Sequence, residues 1–172
     1  MGMSLHWVPA TERIDLLADP VARAVPHVED VEVAEIDPDL ADTAAFCERY
    51  SVRLDESANC VVVAAKRGGE IRYAACMVLA TMRADVNGVV RRHLDARKAS
   101  FAPMADAVEL TGMEYGGITP LGLPEDWPIL VDTHVAEHPR VVIGSGVRRS
   151  KLAVSGAGLA GLKGAEVLSL AG

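Results

Sequence analysis

No apolar run in this chain is long enough to cross a membrane. The longest, Ala74 to Met82, already contains Thr81 and falls far short of the roughly 20 residues a spanning helix needs. Cysteine is sparse: Cys47, Cys60 and Cys76 are widely spaced with no CxxC pair, and an odd number cannot all pair within one chain, so reduced core thiols are expected. Positive charge is also short, with a formal net charge of −7, which excludes a protein that coats nucleic acid by bulk attraction. Two local cation groups remain, Arg91, Arg92, Arg97 and Lys98, then Arg148, Arg149 and Lys151, and both read first as solvated faces. The opening MGMSLHWVPATERIDLL has no basic start followed by an apolar stretch, and His6 stands where a myristoylation signal wants Ser or Thr, so a cytoplasmic location is expected.

What the chain does have is a half-apolar composition over 172 residues, enough for one good core and short for two. A single domain over 1–172 is expected. Thr11 and the acidic residues after it, with Ile14, Leu17 and Val21, predict an N-capped first helix ending near Pro20 or Pro26. VEVAEI alternates like a strand, and Asp37-Pro38 then predicts a helix through Leu40, Ala44 and Cys47. ANCVVVAAK and IRYAACMVLAT, joined by RGGE, predict a long hairpin over 58–81 turning at Gly68-Gly69. Their near-continuous apolarity suits a sheet covered on both faces. Asp85 caps a helix with Val86, Val89, Val90 and Leu94 on its apolar side, a short strand covers 98–102, and a Pro103-started helix stops at Gly112. PILVDTHV, RVVIGSG and SKLAVSG predict strands, followed by a small-residue helix at 158–162 and a last strand AEVLSL. The fold class is a single-domain mixed α/β fold with a twisted, largely antiparallel central sheet flanked by helices.

Three attractive motifs fail on context. GAGLAG at 156–161 matches GxGxxG, but a dinucleotide fold needs a long helix, a second strand and an acidic residue about 20 positions on, and the chain ends first. Around Ser145, Ile143 occupies the place of the first glycine of GxSxG. His134 and His138 have helical spacing near Asp132, yet there is no HExxH, and Pro139 with the flanking strand pattern argues against a helix. No metal and no organic cofactor are expected.

TGMEYGGITPLGLP, Thr111 to Pro124, is harder to set aside, with four glycines and two prolines and no periodicity to explain them. Gly116-Gly117 can expose backbone N–H groups, and Pro120 and Pro124 stiffen the rest of the loop. Such a loop can present donors to an anion or a polarised carbonyl, or serve simply as a tight connection. A second glycine cluster, Gly144-Ser145-Gly146, ends one strand and Asp132 ends another, so three such ends could converge on one pocket.

TGMEYGGITPLGL, then ILVDTHV, then VVIGSGVRRSKLAV, in that order, resemble the YbaK/prolyl-tRNA synthetase editing-domain family of aminoacyl-tRNA deacylases. The likeness covers about 44–170, and the first thirty residues match only loosely. It implies hydrolysis of the ester that joins a wrong amino acid to the 3′ end of a tRNA, with mischarged tRNA as partner and a water helped by a tRNA ribose hydroxyl as nucleophile. It also implies site residues: Gly116, Gly117, Thr119 and Pro120 around the ester carbonyl, Asp132 positioning the amino or ribose groups, and Gly112, Gly122, Gly144, Ser145 and Gly146 shaping the pocket. Arg91, Arg92, Arg148 and Arg149 become candidate tRNA contacts. The family carries a lysine at the start of the first long strand; SANCVVVA places Asn59 there, keeping hydrogen bonding and losing the charge. Lys66 is seven residues further along the strand, about 23 Å away, which leaves Arg83 or Arg148 as replacements. A non-catalytic module holding an aminoacyl or nucleotide end, and a hydrolase of another small ester or amide, remain alternatives, and the chain is a monomer or a homodimer.

Overall fold

The computed structural model describes residues 4–171. In chain order it forms β1 (Val8–Pro9), α1 (Asp19–Ala24), β2 (Glu32–Glu35), α2 (Thr43–Tyr50), β3 (Ala58–Arg67), β4 (Glu70–Leu79), α3 (Arg91–His93), β5 (Lys98–Phe101), α4 (Met104–Thr111), β6 (Ile129–Asp132), α5 (Thr133–Ala136), β7 (Val141–Gly144), β8 (Ser150–Val154), α6 (Gly156–Ala160) and β9 (Ala165–Leu168). The expected mixed, mostly antiparallel α/β domain is what forms. Its strands are divided between two sheets, β1-β2-β8-β7 and β5-β3-β4-β6-β9, rather than gathered in one.

The long hairpin is the frame of the larger sheet. β3 and β4 pair from Ala58↔Leu79 to Arg67↔Glu70, and the turn needs positive φ at both central residues, which Gly68 (58°) and Gly69 (84°) supply. β6 and β9 continue the sheet in parallel with β4. Both faces of the hairpin are covered, which is why its strands read as continuous apolar runs. On one side Met77, Leu79, Ile129 and Val131 meet Val33, Leu152, Ile143 and Val141 of the smaller sheet. On the other, Val63, Cys76 and Val78 pack under Val86 and Val90. α2 covers the outer face of the smaller sheet, where Phe46, Cys47 and Tyr50 pack with Ile36 and Val142.

Several local expectations are corrected. Thr11 caps no helix: 10–12 and 14–16 are separate 3-10 turns, and Pro20 opens α1 rather than ending a helix, its ring being tolerated in a first turn. Asp37 does cap, but only a 3-10 turn, Pro38–Leu40, and α2 starts afresh at Thr43. The strand in PILVDTHV stops at Asp132, whose carboxylate caps α5 by accepting from the His134 N–H, so His134 lies on a helix after all and His138 just beyond it. Asp85 caps as expected, accepting from the N–H groups of Gly88 and Val89, although the turn it caps is a π-helix over Val86–Val90.

β5 pairs only with Val63–Lys66, so the first half of β3 has a free edge. There the two sheets meet, joined by a parallel bridge between Ser57 and Val142. The glycine-rich loop closes over this seam. The Gly146 N–H donates to the Gly117 carbonyl at 2.6 Å, and the Glu114 N–H to the Gly146 carbonyl at 2.8 Å. The approach is so close that a Cβ on Gly144 would stand 2.5 Å from the Gly117 oxygen and 2.9 Å from the Ile118 oxygen. Gly144→Ala is therefore expected to cost about 1–3 kcal/mol in denaturant unfolding. Gly161→Ala, whose Cβ would meet nothing nearer than 3.4 Å, should stay within about 0.5 kcal/mol of the parent.

Candidate functional site

A cleft of about 310 Å³ opens at this seam, at the lower end of the range for small-molecule sites. Its walls are the start of α2 (Thr43, with Asp42 before it), the free edge of β3 (Ala58 to Val61), the end of β7 with Lys151 of β8, and Tyr115, Gly116 and Ile118 of the glycine-rich loop. Asn59, Gly116 and Gly144, remote in sequence, are thus brought together.

The loop offers fewer donors than its glycines promise. The Gly117 N–H is taken by the Glu114 carbonyl and the Thr119 N–H points to the Met113 sulfur at 3.5 Å. Among the described residues, no group accepts from the N–H of Gly116 or of Ile118, and both residues line the cleft. Asn59 accepts from the Thr43 hydroxyl at 2.7 Å through its side-chain oxygen, which leaves its NH₂ to donate. At the rim the Arg148 guanidinium donates to Asp42 at 3.1 Å and to the Tyr115 carbonyl at 3.4 Å, and its backbone N–H to Glu114 at 2.7 Å. Arg148 therefore straps the loop to the start of α2.

Lys151, grouped in sequence with Arg148 and Arg149 as a surface cluster, is instead buried. β8 is buried along its whole length; Leu152 and Val154 face the core between the sheets, and Lys151 faces α2, its ammonium 5.2 Å from the Phe46 ring centroid. Burial pulls its pKa down to about 8; the Cys47 thiol and Asp42 oppose that shift and Arg148 adds to it. Its signal in the sequence was a lone charge inside the apolar strand SKLAV.

Other expected site residues fall elsewhere. Asp132 does not line this cleft. It is fully buried and its oxygens accept from the N–H groups of His134 (3.0 Å), Leu170 (2.8 Å) and Ala171 (3.3 Å) and lie 2.9 Å from the His134 ring nitrogen; it ties the chain's last residues to α5. Gly112 is the left-handed C-cap of α4. Ser145 is buried with its hydroxyl 2.7 Å from that of Ser150, in a network with the carbonyls of Leu16, Val147 and Ser150, so it is no exposed nucleophile. Thr119 is fully buried and its hydroxyl has no partner among the described residues. Pro120 and Gly122 line a different, larger cavity of about 910 Å³ with Leu121, Leu123 and Pro124. Arg91 and Arg92 lie on α3, against the far face of the larger sheet, whereas Arg149 sits beside Arg148 and donates to the Asp15 carbonyl at 2.5 Å. Arg83 is not in the cleft lining.

A seam between two sheets, lined by Asn59, by a buried ammonium and by two loop residues whose N–H groups have no acceptor among the described residues, has the chemistry to hold a carbonyl or oxyanion oxygen. The sequence pattern of the aminoacyl-tRNA editing domain matches residues 37–162, and the chain belongs to that family. No curated protein matches the chain. Among solved structures it is similar to a candidate trans-editing enzyme for prolyl tRNA synthetase (21% identity, TM-score 0.73, covering 96% of this chain and 98% of that one). It is also similar to the hypothetical protein APE2540 (21%, 0.72, 81% and 90%) and to a scaffold used for epitope backbone grafting by computational design (20%, 0.76, 90% and 97%). At such identities these likenesses speak for the fold. No helix of the described residues is long and apolar enough to cross a membrane.

The two buried charges carry opposite expectations for stability. Burial by itself raises the Asp132 pKa, and the hydrogen bonds from Leu170, His134 and Ala171 outweigh it, leaving it below the ordinary 3.8. Its stabilisation is present above that value and is lost as pH falls through the lower folded one. Asp132→Asn should therefore cost about 1–3 kcal/mol at neutral pH and less at pH 2–3, read by denaturant unfolding. Lys151 has the opposite sign: folding penalises its charged form, so Lys151→Met should stabilise the fold at pH 7 by about 1–3 kcal/mol. That gain should shrink as pH rises from about 8 toward 10.5, where the unfolded lysine also loses its proton.

Proposed function

We propose that the protein is a free-standing aminoacyl-tRNA deacylase that clears mischarged tRNA by hydrolysing the ester at its 3′ end. The observation that carries this reading is that Gly116 and Ile118, whose N–H groups have no acceptor among the described residues, line one small cleft with Asn59 and Lys151, in a chain of the editing-domain family. The ester carbonyl lies against the loop, with its oxygen toward the two N–H groups. A water, helped by the neighbouring ribose hydroxyl, adds to the carbonyl carbon. As the tetrahedral intermediate forms, negative charge grows on the oxygen that the N–H groups face, where each fixed donor is worth about 10²–10³ in rate. The carbon–oxygen bond to the ribose then breaks, the ribose oxygen takes up a proton, and a free amino acid and an uncharged 3′ end leave. Neither Asp132 nor Thr119 takes part in these steps, since their side chains are turned into the core. Arg148, bonded to Asp42 and Tyr115 at the cleft rim, and Arg149 next to it in sequence are the local cations for the tRNA acceptor end, on a chain whose overall charge repels phosphate.

The replacement of the family's strand lysine by Asn59 favours one second reading, a module of the same fold that holds the aminoacyl end without cleaving it. Purified protein tested against alanyl-, seryl- and cysteinyl-tRNA charged on proline acceptors separates the two. Hydrolysis of at least one, reduced about tenfold or more in kcat/KM by Asn59→Ala, is the expected result. Absence of hydrolysis across the panel with tRNA binding retained would overturn the deacylase and leave the module.

A further inference from the structure

The cation this cleft uses need not come from β3. Lys151 enters it from β8, directly opposite Gly144 in the register, and that neighbour has no side chain with which to cover it. Asn59 stands in the wall with it. Among the described residues, no ion pair includes the Lys151 ammonium: Asp42, the acidic residue of the same cleft, is paired with Arg148, and the ammonium instead faces the Phe46 ring. A buried ammonium without a carboxylate is costly, and an aromatic face meets only part of that cost. Its three N–H donors call for acceptor oxygens, and the open side of the cleft is where these can arrive.

We propose that Lys151 is the substrate-contacting cation of this cleft, donating from its ammonium to an acceptor oxygen of the aminoacyl-nucleotide end. The assignment rests on the editing reading and deepens it: the charge missing from the start of β3 is supplied across the seam, from the neighbouring sheet. The folded state tolerates an unpaired charge there in exchange for binding, a stability–function opposition of the kind expected at sites. The charged and titratable groups around the ammonium are Asp42 and Cys47 at α2, Cys60 on β3, Tyr115 on the loop and Arg148 at the rim. Arg148 is engaged with Asp42 and the loop, which leaves Lys151 as the unpaired cation of the cleft lining among the described residues.

The acceptor has two sources, the aminoacyl carbonyl and the phosphate of the terminal nucleotide. Non-hydrolysable 3′-alanylamido-, 3′-serylamido- and 3′-cysteinylamido-3′-deoxyadenosine, each with and without a 5′-phosphate, distinguish them by calorimetric titration of the full chain. With wild-type protein binding at least one probe, Lys151→Met is expected to weaken it about 30-fold or more while melting no lower than the parent. Weakening of both forms assigns the contact to the carbonyl, and weakening of the 5′-phosphorylated form alone assigns it to the phosphate; either supports Lys151 as the contact. Asn59→Lys in the Lys151→Met background should recover a substantial part of the loss, which a merely structural lysine would not allow. Binding by Lys151→Met within threefold of wild type overturns the assignment and leaves the editing reading standing. Failure of wild type to bind any probe, together with no deacylation, overturns the editing reading and the assignment with it.

Discussion

The close approach of the Gly117–Ile118 backbone to Gly144 is the contact on which the site depends. It brings a loop that comes after α4 against the end of β7, at the line where the two sheets join through Ser57 and Val142. Any side chain on Gly144 would push the loop away, and the Gly146–Gly117 hydrogen bond that pins it could not form at 2.6 Å. With the loop seated, the free edge of the first half of β3, the start of α2 and the end of β7 enclose a small space. The fold therefore makes its cleft by leaving one sheet edge uncovered and laying a side-chain-free piece of backbone beside it.

Into that space the fold directs donors rather than bases. Gly116 and Ile118, whose N–H groups have no acceptor among the described residues, line it with Asn59 and Lys151, and Asp42, the carboxylate of the lining, is held by Arg148. Such a set can stabilise charge as it develops on a carbonyl oxygen, and it suits chemistry in which the substrate brings its own hydroxyl and water supplies the nucleophile. The buried lysine sets the electrostatic tone. Burial works against its charge, and among the described residues no ion pair includes it.

Much of this was legible in the sequence where local chemistry decides structure. Gly68-Gly69, Asp85, Pro103 and Gly112 each set a boundary through backbone geometry or capping, and each did so where expected. The family resemblance grouped Asn59, Gly116 and Gly144 as expected site residues, and the fold brings these three to one cleft. What stayed hidden depends on long-range packing. The division into two sheets arises from β2 pairing with β8, more than a hundred residues away, which no local pattern reveals. Asp132 looked like a strand-end catalytic group, but its role is set by the N–H groups of Leu170 and Ala171, which only the folded chain brings to it. Lys151 was concealed by its neighbours: beside two arginines it read as surface charge, whereas the alternation of β8 turns it toward α2 and Phe46.

In the function proposed above, the seam between the sheets receives the aminoacylated 3′ end. A crystal structure of the protein with a bound 3′-aminoacylamido-3′-deoxyadenosine tests it most directly. The expected result is the amide carbonyl oxygen within hydrogen-bonding distance of the Gly116 and Ile118 N–H groups, with Asn59 and Lys151 on the same ligand. A ligand seated instead in the larger cavity beside Pro120 to Pro124, with the seam empty, would contradict it.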